Sequence, residues 1–109
     1  MAYSEPVAER LRNAYRRTSD VVERKMFGGI AFMVAGHMSC GVVDDRLMVR
    51  VGPEQYARAL KRPHARKMDF TGKPLKGFVY VAPPGFESEE DLADWVQLSL
   101  DFVSTLPPK

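Results

Sequence analysis

Residues 23 to 51 hold four runs of strand-like alternation separated by three short turn signals, Gly28-Gly29, Gly36-His37 and Asp44-Asp45-Arg46, and no other stretch limits the fold so tightly. Links this short make neighbouring strands antiparallel, because a parallel return needs a crossover of about a dozen residues. The last run is the plainest. Leu47, Val49 and Val51 point one way and Arg46, Met48 and Arg50 the other, the two-residue period of a sheet with one solvated face. In the second run Ile30, Phe32 and Val34 oppose Ala31, Met33 and Ala35; in the third, Met38, Cys40 and Val42 oppose Ser39, Gly41 and Val43. An up-and-down meander is expected, its oily side covered by the rest of the chain.

Helical spacing supplies the cover. A first helix is expected over residues 4–18, with Ser4 as N-cap, Pro6 in the first turn, and Val7, Leu11, Ala14, Tyr15 and Thr18 on one side. Its other side carries Arg10, Arg12, Arg16 and Arg17, with Glu5 and Glu9 at pairing distance, so it reads as a solvated, ion-paired face. Gly52-Pro53-Glu54 predicts a short second helix with Tyr56, Ala57 and Leu60 inward, stopped by Pro63. Met68 and Phe70 alternate with Lys67 and Asp69 as a brief strand; Thr71-Gly72-Lys73-Pro74 reads as a turn, and Phe78 to Val81 as the second arm of a hairpin. Ser88 caps the last helix, whose acidic first turn, Glu89-Glu90-Asp91, suits a helix N-terminus. Leu92, Trp95, Val96, Ser99, Val103 and Leu106 form its inward stripe. Leu98, Phe102 and Leu100 widen that stripe beyond what one sheet contact needs, so either the helix lies deep or another chain covers its flank.

At 109 residues the chain is expected to be one domain, with ordinary hydrophobic (45%) and charged (28%) fractions. A net charge of +2 implies no polyanion partner by itself; clustering has to make that case. One cysteine, Cys40, has no partner for an internal disulfide, which points to a reducing compartment. With no signal-peptide pattern and no run near the ~20 apolar residues of a membrane span, the expectation is a cytoplasmic protein with no membrane association.

The phrases Arg24-Lys25-Met26-Phe27-Gly28-Gly29, Gly36-His37-Met38, Asp45 to Val51, Met68 to Pro74 and Gly77 to Val81 occur in this order and spacing. Together they make the chain resemble the N-terminal domain of the TfoX/Sxy family over roughly residues 7 to 104, most specifically at Met26-Phe27-Gly28-Gly29. The resemblance implies a secretion-chaperone-like α+β fold: two layers, a curved antiparallel sheet of about five or six strands with helices packed on it, in the order α-β-β-β-β-α-β-β-α. It implies kinship with regulators of competence for DNA uptake, here as a stand-alone domain, and it brings no catalytic residues.

The chemistry-bearing residues have structural readings. Gly28-Gly29 leads into a strand and not a helix, so it is a tight positive-φ turn and not a phosphate cradle. His37 and Cys40, three apart, are expected on opposite faces of a strand. With His64 they fall short of the four ligands of a structural zinc site. Asp44, Asp45 and Glu89 to Asp91 are turn and helix-start residues, and Asp69 is expected to pair with Lys67 or Arg66. The sequence therefore predicts no catalytic residue, no cofactor and no metal. The basic stretch Lys61, Arg62, Arg66, Lys67, Lys73 and Lys76, with Arg46 and Arg50 and the interleaved aromatics Phe70, Phe78 and Tyr80, offers a nucleic-acid- or phosphate-binding face. Two functional expectations follow. The first is a non-catalytic regulatory or adaptor domain working through an unknown protein partner, with self-association into a homodimer near Leu98 and Phe102. The alternative is a nucleic-acid-binding accessory domain using residues 61 to 76.

Overall fold

The computed structural model describes residues 3–69, 72 and 74–107. Phe70, Thr71 and Lys73, expected in strand, turn and binding roles, lie outside the described residues, as does Pro108. The element order is α1 (Glu5–Ala14), β1 (Val21–Met26), β2 (Gly29–Val34), β3 (His37–Val43), β4 (Arg46–Arg50), α2 (Tyr56–Leu60), β5 (Ala65–Lys67), β6 (Phe78–Val81), a 3-10 turn (Pro83–Phe86) and α3 (Glu89–Val103). The strands form one six-stranded sheet, β1-β2-β3-β4-β6-β5, and every neighbouring pair is antiparallel. The α+β reading and the element order from sequence hold.

All three meander links are two-residue bends, closed by the pairs Met26–Gly29, Val34–His37 and Val43–Arg46. The first bend is therefore Phe27-Gly28, one residue earlier than the sequence suggested, with φ of 55° and 76°. Ala35-Gly36 repeats the pattern at 51° and 86°. Paired positive φ matches the right-handed twist of the flanking strands. Gly29 is already strand, and glycine is required there for another reason: a Cβ would collide with the Val42 carbonyl oxygen.

The helix-side face of the sheet buries Ile30, Phe32, Cys40, Val42, Leu47, Val49, Val51, Val79 and Val81 against α1, α2 and α3. Leu11 and Tyr15 fill it from α1, and Leu92, Trp95 and Val96 from α3. Several local expectations are corrected. α1 stops at Ala14, which is exposed; Ala8 takes the inward place, and Tyr15 is the C-cap. α2 begins at Tyr56, after a turn over residues 53–55, and buries Ala59 where Ala57 was expected. The edge strand is Ala65–Lys67, because Met68 leaves the ladder to bury itself on the far side of the sheet.

That far side is the main departure from the sequence reading. The face expected to be solvated holds its own core: Ala31, Met33, Met38, Val43, Met48 and Met68, with Met26, Phe27, Leu75, Phe78 and Tyr80 packed around it. Every methionine among the described residues is in this layer. Unbranched thioethers fit the irregular gap between the sheet and a covering loop. The β5–β6 connection supplies Met68 and Leu75, closed by Leu75 N–H donating to the Met68 carbonyl at 2.8 Å.

Candidate functional site

The third strand breaks the alternation expected of it. Ala31 pairs with Gly41 and Met33 with Met38, so Ser39 and Cys40 together oppose the single residue Phe32. This β-bulge turns both side chains towards the helices, where strict alternation would put them on opposite faces. His37, paired with Val34, also looks that way, so the expected separation of His37 and Cys40 to opposite faces does not occur.

The bulge builds a buried polar chain. Tyr15 Oη lies 2.6 Å from Ser39 Oγ, which lies 2.8 Å from Ser99 Oγ on α3. Ser39 and Ser99 are 0% exposed and Cys40 is 0% exposed beside them. Burial pushes the Cys40 thiol up from its usual 9.0 to about 11, with the hydroxyls of Tyr15, Ser99 and Ser39 opposing. Burial also raises Tyr15 well above its ordinary value. A thiol held protonated and sealed from solvent is a poor nucleophile. His37 instead spends Nε2 on the Pro107 carbonyl at 2.6 Å, tying the end of the α3 segment to the sheet. Among the described residues no group of three or more His, Cys, Asp and Glu side chains is placed to hold a metal ion.

The flank of α3 opens a groove of about 370 Å³ lined by Val51, Pro53, Gln55, Leu98, Phe102 and Thr105, with Glu54 and Asp101 at its polar wall. Part of the broad apolar arc is absorbed within the chain. Leu98 and Leu100 lean on the core, and Phe102 lies on Gly52 so closely that no Cβ fits there. Arg50 rests 5.4 Å from both the Phe78 and Phe102 ring centroids, and burial lowers its pKa.

The basic stretch is divided. Arg62 lies over the Trp95 ring at 4.8 Å on the helix side, with Lys61 beside it at the end of α2. Lys67 pairs with Val79 and so also faces the helices, whereas Arg66 pairs with Tyr80 and faces outward. Lys76 is exposed in the turn before β6. Asp69 is exposed, and among the described residues it forms no salt bridge with Lys67 or Arg66, so the expected partnership is absent. Sequence order thus groups residues that the edge strand sends to two sides.

On α1 the expected ion pairs form, and two longer ones were missed. Arg12 bridges Glu9 at 2.9 Å and Glu23 of β1 at 2.8 Å, which raises its pKa. Arg10 bonds Glu89 at 2.9 Å and the Phe86 carbonyl at 2.8 Å, fastening α1 to the start of α3.

No helix among the described residues is long and apolar enough to cross a membrane. The family model described as the TfoX N-terminal domain matches residues 13–103, most of the chain. No curated protein matches it.

Proposed function

Because the chain belongs to the TfoX N-terminal domain family, we propose that it is a competence-related regulatory domain acting through protein contacts and not through catalysis. The observation that carries this reading is the contrast between its two candidate sites. The cluster of thiol and hydroxyl groups is sealed, with Ser39, Cys40 and Ser99 at 0% exposure and Tyr15 at 3%, out of reach of any substrate, while the Leu98–Phe102 groove opens to solvent. Half-buried apolar side chains around a groove suit a partner's side chain. A second copy of the chain is the first partner to test.

Sedimentation equilibrium up to high micromolar concentration is the experiment. A reversible dimer that Leu98→Asp abolishes is expected; Leu98 is half-buried on the rim, so the change leaves the inward stripe of α3 intact. A strict monomer throughout would remove self-association. A native partner captured equally by the parent chain and by Leu98→Asp would remove the groove as the contact.

A further inference from the structure

The modest net charge conceals a segregated surface. Glu23 is the only acid in any described strand, and it faces the helices, where Arg12 takes it. The outward positions of the strands carry Arg24, Arg46, Arg50 and Arg66 and no acid. α3 is the opposite, with Glu89, Glu90, Asp91, Asp94 and Asp101 and no lysine or arginine. Among the described residues, the one ion pair on the outward face is Arg46 with Asp44 in the adjoining bend, 3.6 Å apart and exposed.

Two aromatic rings lie within the arginine group. Tyr80, on β6, is flanked by Arg46, whose guanidinium lies 4.1 Å above the ring, and by Arg66, its partner across β5. Phe78, two residues earlier on the same face, lies under Arg50. Both rings are half-buried, standing on the fully buried Met48 and its neighbours. A guanidinium laid flat on a ring keeps its N–H edges free for the paired oxygens of a phosphate. Guanidinium and phenol planes also supply surfaces on which unpaired bases stack. Strand rise puts Arg46 and Arg50 roughly 13 Å apart, and two strand spacings put Arg66 roughly 10 Å from β4. That area suits a few nucleotides.

We propose that this outward sheet face, centred on Arg46, Tyr80 and Arg66, binds single-stranded nucleic acid. Arginines hold successive phosphates and the Tyr80 neighbourhood receives a base. The inference goes beyond the protein-contact reading and does not depend on it: its centre at Arg46, Tyr80 and Arg66 lies apart from the Leu98 groove, which the outward face adjoins only through Arg50, packed on both Phe78 and Phe102. It also moves the nucleic-acid surface away from the linear basic stretch: Arg66 belongs to it, and Arg62 and Lys67 do not.

The test is fluorescence anisotropy with a labelled oligo(dT) of about twelve nucleotides, a length within the usual site sizes. Three phosphate contacts predict affinity falling roughly 20-fold between about 50 and about 200 mM salt. Arg46→Gln with Arg66→Gln is expected to weaken binding about 10-fold or more. Arg16→Gln with Arg17→Gln, an equal charge change at exposed positions in the turn after α1, is expected to leave it within about 2-fold. An abasic strand of the same length is expected to bind about 10-fold more weakly, for the loss of the stacked base. Thermal melting of each variant checks the fold. Absence of binding at low salt overturns the proposal, as does equal loss in both double variants. Poly-glutamate or the abasic strand binding as tightly as oligo(dT) overturns it in favour of a general anion or acidic-protein surface.

Discussion

Tyr15 Oη and Ser39 Oγ meet at 2.6 Å in the core, joining the end of α1 to the bulge of β3. Ser99 continues the contact to α3, so one chain of hydroxyls links both long helices to the sheet. Tyr15 is fixed further by stacking on Phe32, centroids 5.4 Å apart and planes at 7°.

Tyr15→Phe removes the terminal hydroxyl and leaves Ser39 with one buried partner fewer. A loss of about 1–3 kcal/mol is expected in urea unfolding. Ser39→Ala is expected to cost a similar amount, and the double variant less than the sum, because both act on one network. Additive costs would mean that the two hydroxyls are not coupled.

The adjacent glycines of the first hairpin have different jobs, and substitution separates them. Gly28→Ala meets open space but keeps a left-handed φ, a cost of about 1–2 kcal/mol. Gly29→Ala drives a methyl into the Val42 carbonyl, for about 3 kcal/mol or more as strands are forced apart. Chemical denaturation of the two variants is expected to rank Gly29→Ala as the worse; the reverse order would place the bend at Gly28-Gly29 after all.

Alkaline pH tests the burial of Cys40. The unfolded chain loses the thiol proton near the usual 9.0, while the folded chain keeps it to about 11. Stability from this group is thus fully present below pH 9 and falls as pH rises to about 11, by about 3 kcal/mol in all. Tyr15, raised in the same direction, extends the fall to higher pH. Cys40→Ala is expected to show a shallower decline over that window in urea melts at stepped pH. Equal slopes would show the thiol to be solvated.

Arg12 holds three carboxylates, Glu5, Glu9 and Glu23, and is itself about a third exposed. Arg12→Gln is expected to cost about 1 kcal/mol at low ionic strength and less at about 1 M salt, where such pairs are screened. A cost that salt leaves unchanged would assign the effect to packing of the arginine stem.

The family phrase and the order of elements along the chain were legible because hairpins are local; that β6 and not β5 lies beside β4 was not. Period-two alternation and short bends specify each pair of the meander from residues that adjoin in sequence, and the serine caps of α1 and α3 are equally local. The candidate surfaces were half legible. Leu98 and Phe102 stood out as surplus on the α3 stripe, and Arg46 and Arg50 could be aligned by alternation alone. Alternation alone would put Arg66 and Lys67 on opposite faces, but which of them faces outward was decided only by the register of β5 on β6.

By itself the sequence determined the elements, their order and the antiparallel meander, since these follow from backbone preferences and spacing over a few residues. The tertiary structure alone decided which side of each element met what. A one-residue bulge turned Ser39 and Cys40 the same way, and the β5–β6 loop closed a methionine layer over the face expected to be wet. Both depend on contacts between residues far apart in the chain, which no local period encodes.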